Sequence, residues 1–376
     1  MAVTLARMAD RLQPYIDEIS DLRPSGARIW DAHTHLGDDE DGMSLRSDRL
    51  LAMFDRVDVA GGCVFPLHDL ERAPSYRIPN DRVLAWAEEH PDRLIPFCRL
   101  DPGDDPIPEL ERCLERGARG VKLHPRAQHF DFTHGALEDI FRRADEAGVP
   151  VLIHAGRGMA PIAEHLCELA LKHPAPLILA HAGIADQAVF ATGLRDHPCA
   201  LFDTSVLSPV DLAELLARVP PERIVFASDP PYGRPIFALY MLLRVARSSG
   251  ADDDVLTAML SGTIEAVLAG EKPAPATAPI RPRAVTVPGA LARLYPLLYH
   301  ALSSAIHGSR AGVNEALELA AAVCRDPDPG DAGPALERIA AGLSTVRASI
   351  DRDERFPADL LHLLLVDVAS AAPPSS

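Results

Sequence analysis

Between residue 28 and about residue 269 the chain alternates short apolar runs with longer stretches whose apolar residues recur every three to four positions. The short runs are RIWDAHTH (28–35), GGCVFPL (61–67), RLIPFCRLDP (93–102), GVKLHP (120–125), PVLIHAG (150–156), PLILAHAG (176–183), CALFDTS (199–205) and RIVFASDPP (223–231). Such runs, bounded by Gly, Pro and Asp, read as strands, and the 3.6-period stretches between them read as helices. Eight strands, each followed by room for a helix, predict an α/β fold: a (β/α)8 TIM barrel with a parallel sheet. His-Pro pairs at His90, His173 and His197 each precede a predicted strand. A His in a last helical turn suits the negative end of the helix dipole, and the Pro then stops the helix, so these three read as structural punctuation.

Past residue 270 the pattern changes. Residues 271–288, EKPAPATAPIRPRAVTVP, are rich in Pro and Ala and read as a semi-rigid linker. Four helix-type segments follow, near 290–306, 311–325, 334–350 and 357–369, the last two each opening on a Pro. The expected organisation is a barrel domain (1–270), a Pro-rich linker (271–288) and a helical C-terminal extension (289–376). That all-helical appendage carries no catalytic cluster, so it is expected to serve packing or to present a face for a homodimer.

Composition narrows the function. The 376 residues are 47% hydrophobic with a formal charge of −17, which argues against a nucleic-acid partner, since phosphate binding needs clustered Lys and Arg. A small anionic substrate held by one or two arginines stays open. The six cysteines form no C-x-x-C pair and read as buried free thiols. No signal-type start and no apolar run of about 20 residues is visible, so a cytoplasmic protein with no membrane association is expected.

Functional side chains of a barrel sit at the C-terminal ends of its strands. On the first strand, Asp31, His33 and His35 are expected to alternate onto one face. The fifth strand ends in His154, the sixth in His181 and the eighth in Asp229. Four imidazoles and a carboxylate on one rim suit a divalent zinc-type ion, with manganese or iron as alternatives.

The motifs DAHTHLG, GVKLHP, LIHAG, LAHAG and FASDPPYG, in this order over residues 28–270, resemble the amidohydrolase superfamily, in particular its amidohydrolase-2 branch. That branch also holds decarboxylases similar to aminocarboxymuconate-semialdehyde decarboxylase. The resemblance implies one divalent metal ion, Zn2+, held by His33, His35, His154 and Asp229. It places His181 beside the activated water as acid–base or electrophilic helper. Asp229 would take the proton of that water and pass it to the leaving group. Asp31 would orient an imidazole or serve structure alone. Lys122 has three readings: a carboxylated bridge between two metals, a residue beside a single metal, or an ammonium that neutralises negative charge. The reading carried forward is one metal, with Lys122 as an active-site cation.

Arg99, His124, Arg157 and Asp203 are the expected substrate-binding residues, with His68, Asp101 and Arg126 as further rim candidates. An arginine there would fit a carboxylate-bearing substrate, or merely pair with a neighbouring acid. The acidic run at 38–42 reads as a solvated loop. Hydrolysis of a C–N or C–O bond of a small molecule by metal-activated water is the expected reaction. A non-oxidative decarboxylase on the same ligands is the alternative. A TatD-type nuclease would want a carboxylate in place of Lys122 and a more basic surface. A barrel that has lost catalysis and persists as a binding scaffold is the non-enzymatic reading.

Overall fold

The structure, a computed structural model, describes residues 2–155, 163–280, 288–307, 309–325, 332–351 and 358–371. Arg157 lies outside the described residues. Eight parallel strands follow one another around a ring. They are β1 (Trp30–Asp38), β2 (Gly61–Pro66), β3 (Leu94–Pro96, continued by Cys98–Arg99) and β4 (Val121–Leu123). Then come β5 (Val151–His154), β6 (Leu177–Ala180), β7 (Ala200–Asp203) and β8 (Ile224–Val225). Consecutive strands pair in parallel, and Phe97 N–H donates to Val64 O at 2.8 Å to join β2 to β3. Across the remaining gap, Ala32 N–H donates to Phe226 O and Asp229 N–H to His33 O, both at 2.9 Å, which closes the TIM barrel. A short antiparallel return, Ser44–Leu45, pairs with the end of β1 and had no counterpart in the sequence reading.

Period-two alternation explains what faces inward. Trp30, Ala32, Cys63, Phe65, Phe97, Leu152, Ile178, Ala180, Leu201, Val225 and Ala227 pack together as the barrel's interior. Their neighbours Val64, Cys98, Val121, Leu123, Ile153, Leu179, Phe202 and Phe226 join the larger core beneath the helices. Continuing the inward parity gives Arg99, Lys122, His124, His154, Asp203 and Asp229. β1 breaks the rule: its register against β2 shifts between Asp31 and Thr34. That irregularity moves His33 and His35 into phase with the interior although Trp30 and Ala32 already point there. Asp31 is therefore not on the face of the two histidines as alternation predicts. It lies on the outer side, where Ser228 N–H donates to its Oδ1 at 3.0 Å and its β-carbon faces Gly62 so closely that a β-carbon there would stand 3.1 Å away.

The helical appendage is present as Gly289–Ile306, Arg310–Val323, Gly333–Asp351 and Ala358–Ser370. Ala358–Ser370 packs on Pro235–Ser249, the helix after β8, so the appendage shares the outer core. An additional helix, Ala2–Leu22, precedes the barrel and packs on the same helix; Tyr15 meets Tyr240 edge-on at 5.2 Å. The apolar spacing Leu12, Tyr15, Ile16, Ile19 carried that helix in the sequence. Among the described residues no helix is long and apolar enough to cross a membrane. The six cysteines are unpaired, five of them buried. His90 and His173 follow directly on helices Arg77–Glu89 and Ala163–Lys172, in the punctuating position expected of them.

Candidate metal centre and cavity

At the C-terminal mouth of the barrel, His33 Nε2, His35 Nε2 and Asp229 Oδ1 lie 3.2 Å from one another. Donors about 2.0–2.1 Å from a common tetrahedral centre stand roughly 3.3 Å apart, so this spacing fits one small divalent cation. All three residues are buried, and Asp229 Oδ1 has no hydrogen-bond partner despite its closeness to both rings. Donors that converge on one point with Asp229 Oδ1 left unsatisfied are what a cation needs and what an apo core avoids.

The protons can be followed through the network. His33 Nδ1 lies 2.7 Å from Asp203 Oδ2, so the ring donates there and its Nε2 carries the lone pair. Asp203 uses its other oxygen to accept from His181 N–H at 2.8 Å and from Ser205 Oγ–H at 2.5 Å. With its hydroxyl proton given to Asp203, Ser205 Oγ accepts from His181 Nδ1 at 2.8 Å. His181 Nε2 then accepts from His154 Nδ1 at 3.1 Å. The chain ends at His154 Nε2, a buried atom without a partner. The network thus assigns His154 the tautomer that a metal ligand requires. His154 stands apart from the close trio, stacked on His124 with centroids 3.8 Å apart.

Charge follows burial. Burial holds His35 down at about 3 and His154 at about 2, so both rings are neutral. Burial opposes ionisation of Asp229 too, but its interaction with His33 outweighs that and its pKa falls well below the ordinary carboxylate value. Lys122 is fully buried, with Nζ 3.2 Å from His33 Nε2 and 4.7 Å from the centre of the Phe65 ring. Burial lowers it to about 7, against the pull of Asp229 and Asp203, so near neutral pH it is present both as ammonium and as free amine.

Two backbone features hold the trio. Asp229 adopts a left-handed conformation (φ 55°), pinned by its N–H on His33 O and by Gly233 N–H on its own carbonyl at 2.7 Å. A β-carbon on Gly233 would come within 2.0 Å of Ser228 O, so only glycine permits this close approach. Asp31 adds a second tie: its Oδ1 accepts from the N–H groups of both His33 and Ser228, at 3.1 and 3.0 Å. It orients backbone, whereas the imidazole-orienting job falls to Asp203. Asp203 is buried, spends both oxygens inside the network and does not line the cavity, so the substrate contact expected of it is corrected.

The cavity above the trio has a volume of about 470 Å³. Arg99, His68, His124 and Arg126 line it; Asp101 does not. Arg99 is 1% exposed, donates from Nη1 to Pro66 O at 3.1 Å, and has Nε and Nη2 unpartnered. A guanidinium left this deep without a counter-ion costs several kcal/mol. Asp39, Glu40, Asp41 and Tyr232 line the cavity as well, with Glu40 Oε1 3.7 Å from His68 Nε2. The acidic run after β1 is thus more than the solvated loop its composition suggests, because Asp39 Oδ2 accepts from His68 N–H at 2.9 Å and fixes the loop over the site. Tyr76, Asn80 and Tyr232 went unnoticed in the sequence: the first two fall on the segment after β2, and no strand-end pattern marks them.

Residues 30–269 match the family model described as amidohydrolase. No curated protein sequence matches the chain. Among solved structures, the chain is similar to a "probable 2-pyrone-4,6-dicarboxylic acid hydrolase" of Acinetobacter baumannii crystallised with citric acid (14% identity, 64% of this chain, 99% of that one, TM-score 0.49). It is similar to a TIM-barrel protein of Bordetella bronchiseptica (16% identity, 59% and 82%, TM-score 0.49). It is also similar to the IDCase of Metarhizium anisopliae in its apo form (15% identity, 65% and 98%, TM-score 0.45).

Proposed function

The chain belongs to the amidohydrolase family, and from that premise we propose that it hydrolyses a C–N or C–O bond of a small molecule, such as an amide, lactone or cyclic imide. The observation that carries this reading is the convergence of His33 Nε2, His35 Nε2 and Asp229 Oδ1 at 3.2 Å beneath the cavity. Together with His154 Nε2 they would hold one divalent ion, zinc suiting the mixed imidazole–carboxylate donors. A bound ion of this kind lowers the pKa of water towards neutrality and polarises a carbonyl.

Asp229 then has the proton work. Held in its ionised form, it takes the proton of the attacking water as oxygen bonds to the carbonyl carbon. It returns that proton to the departing nitrogen or oxygen as the scissile bond breaks. His181 lines the cavity with its Nε2 engaged by His154, so its first job is to position that ring. In its ammonium form Lys122 offsets the charge of Asp229 and Asp203.

A panel of amides, lactones and cyclic imides in 18O-labelled water, followed by mass spectrometry, tests the reading. One labelled oxygen in the product and no CO2 supports hydrolysis. Release of CO2 without label transfers the same residues to a non-oxidative decarboxylase.

A further inference from the structure

We propose that Arg99 is the recognition residue of the cavity and binds a carboxylate of the substrate side-on through Nε and Nη2. The inference rests on the small-molecule enzyme reading above and names the class of substrate it would take.

Four observations place the guanidinium there as a prepared receptor. Its Nη1 is committed to Pro66 O, which leaves the Nε–Nη2 edge, the one that presents two parallel N–H donors. Both atoms of that edge are buried and unpartnered, and among the described residues no carboxylate pairs with Arg99. Its backbone is clamped by Asn80, whose Oδ1 accepts from Arg99 N–H at 2.9 Å and whose Nδ2 donates to Arg99 O at 3.0 Å. Its plane is set over the Tyr76 ring at 5.1 Å from the centroid. The same edge is used conventionally elsewhere in this chain, where Arg143 Nε and Nη2 each meet one oxygen of Glu111. Arg99 has the fork, the rigidity and the burial of such a pair without the acid.

Arg126, exposed and without a partner among the described residues, also lines the cavity and adds positive charge to it. Asp39, Glu40 and Asp41 line the cavity too, but none pairs with Arg99: Asp39 Oδ2 accepts from His68 N–H at 2.9 Å and Glu40 meets Arg72 at 3.2 Å. A carboxylate settles at Arg99 because its Nε–Nη2 edge is the buried fork left without an acid. Arg99 stands on β3, two strands from His33 on β1, so the bound group is a handle distinct from the bond that reacts. An anion also relieves the desolvation that pulls the guanidinium pKa down.

Equilibrium binding of succinate and of succinamide to the full-length protein, as purified and with its metal content measured, tests the proposal. Wild type should bind succinate about tenfold or more tightly than Arg99→Met does, while succinamide binds both alike and metal content is unchanged. Arg99→Lys, which keeps the charge and loses the fork, should fall between them. Succinate binding by Arg99→Met within about twofold of wild type would overturn the proposal. So would a wild-type protein that prefers no carboxylate, from acetate to adipate, over its amide. Should Arg99→Met fail to fold, a crystal structure of the wild type with succinate decides: a carboxylate on Nε and Nη2 supports the proposal, and succinate held elsewhere overturns it. Succinate binding through Arg99 in a protein that hydrolyses nothing would retain the recognition residue and remove the reaction. Turnover of neutral substrates at undiminished rate by Arg99→Met, with succinate binding unaltered, would do the reverse.

Discussion

His33 Nδ1 meets Asp203 Oδ2 at 2.7 Å, and that single hydrogen bond decides which nitrogen of His33 faces Asp229. An asparagine at 203 can offer an N–H to Nδ1, which drives the ring proton to Nε2 and closes the lone pair. Asp203→Asn is therefore expected to keep its fold and lose roughly 10- to 100-fold in metal affinity, read by competition with a chelator.

Gly233→Ala should damage the site from outside it. The added β-carbon meets Ser228 O at 2.0 Å and must push the backbone that carries Asp229. A loss of about 1–3 kcal/mol in stability is expected, together with reduced metal content, measured by denaturant melts and metal analysis of the same preparation.

Much of this was legible before any coordinates. The eight strands, the four C-terminal helices and the histidines and aspartate at the strand ends follow from periodicity, because barrel strands are apolar runs and their polar tips stand out. What escaped has physical causes. The irregularity in β1 between Asp31 and Thr34 is invisible to a period-two pattern, so Asp31 and the two histidines looked co-facial. Asp203 and Arg99 are both buried polar residues near strand ends, and sequence cannot tell a carboxylate saturated by His33, His181 and Ser205 from a guanidinium left half-free. The helix Ala2–Leu22 precedes the barrel motifs, and its amphipathic spacing was overlooked.

His197 gives a pH dependence independent of the metal centre. It is fully buried, and burial with the nearby Arg223 lowers it to about 4, against about 6.5 when unfolded. The unfolded chain thus binds the proton more readily, so this contribution to stability is complete above pH 6.5 and is lost as pH falls towards 4. Between pH 7 and pH 5 the loss from this residue is about 2 kcal/mol. Denaturant midpoints at both pH values should show a smaller acid loss in His197→Gln than in wild type; equal losses would remove His197 as the cause.

Asp367, nearly fully buried on the last helix, accepts from Tyr240 Oη at 2.5 Å and lies 3.3 Å from Arg338. It ties the appendage to the helix that follows β8, while Glu18 of the first helix bonds Arg244 at 2.7 Å. Asp367→Ala removes the shorter of the two tyrosine hydrogen bonds and leaves Glu18 as the acid shared by Tyr240, Arg244 and Arg338, so a loss of about 1 kcal/mol is expected in urea unfolding. An unchanged midpoint would make the tie a surface feature only.

Metal content of the purified protein, measured for wild type, His33→Ala and Asp229→Ala side by side, tests the central claim most directly. The account predicts about one equivalent of a divalent ion in wild type and its loss from both variants, with folding retained. No bound metal in wild type after reconstitution, or full metal content in Asp229→Ala, would contradict it.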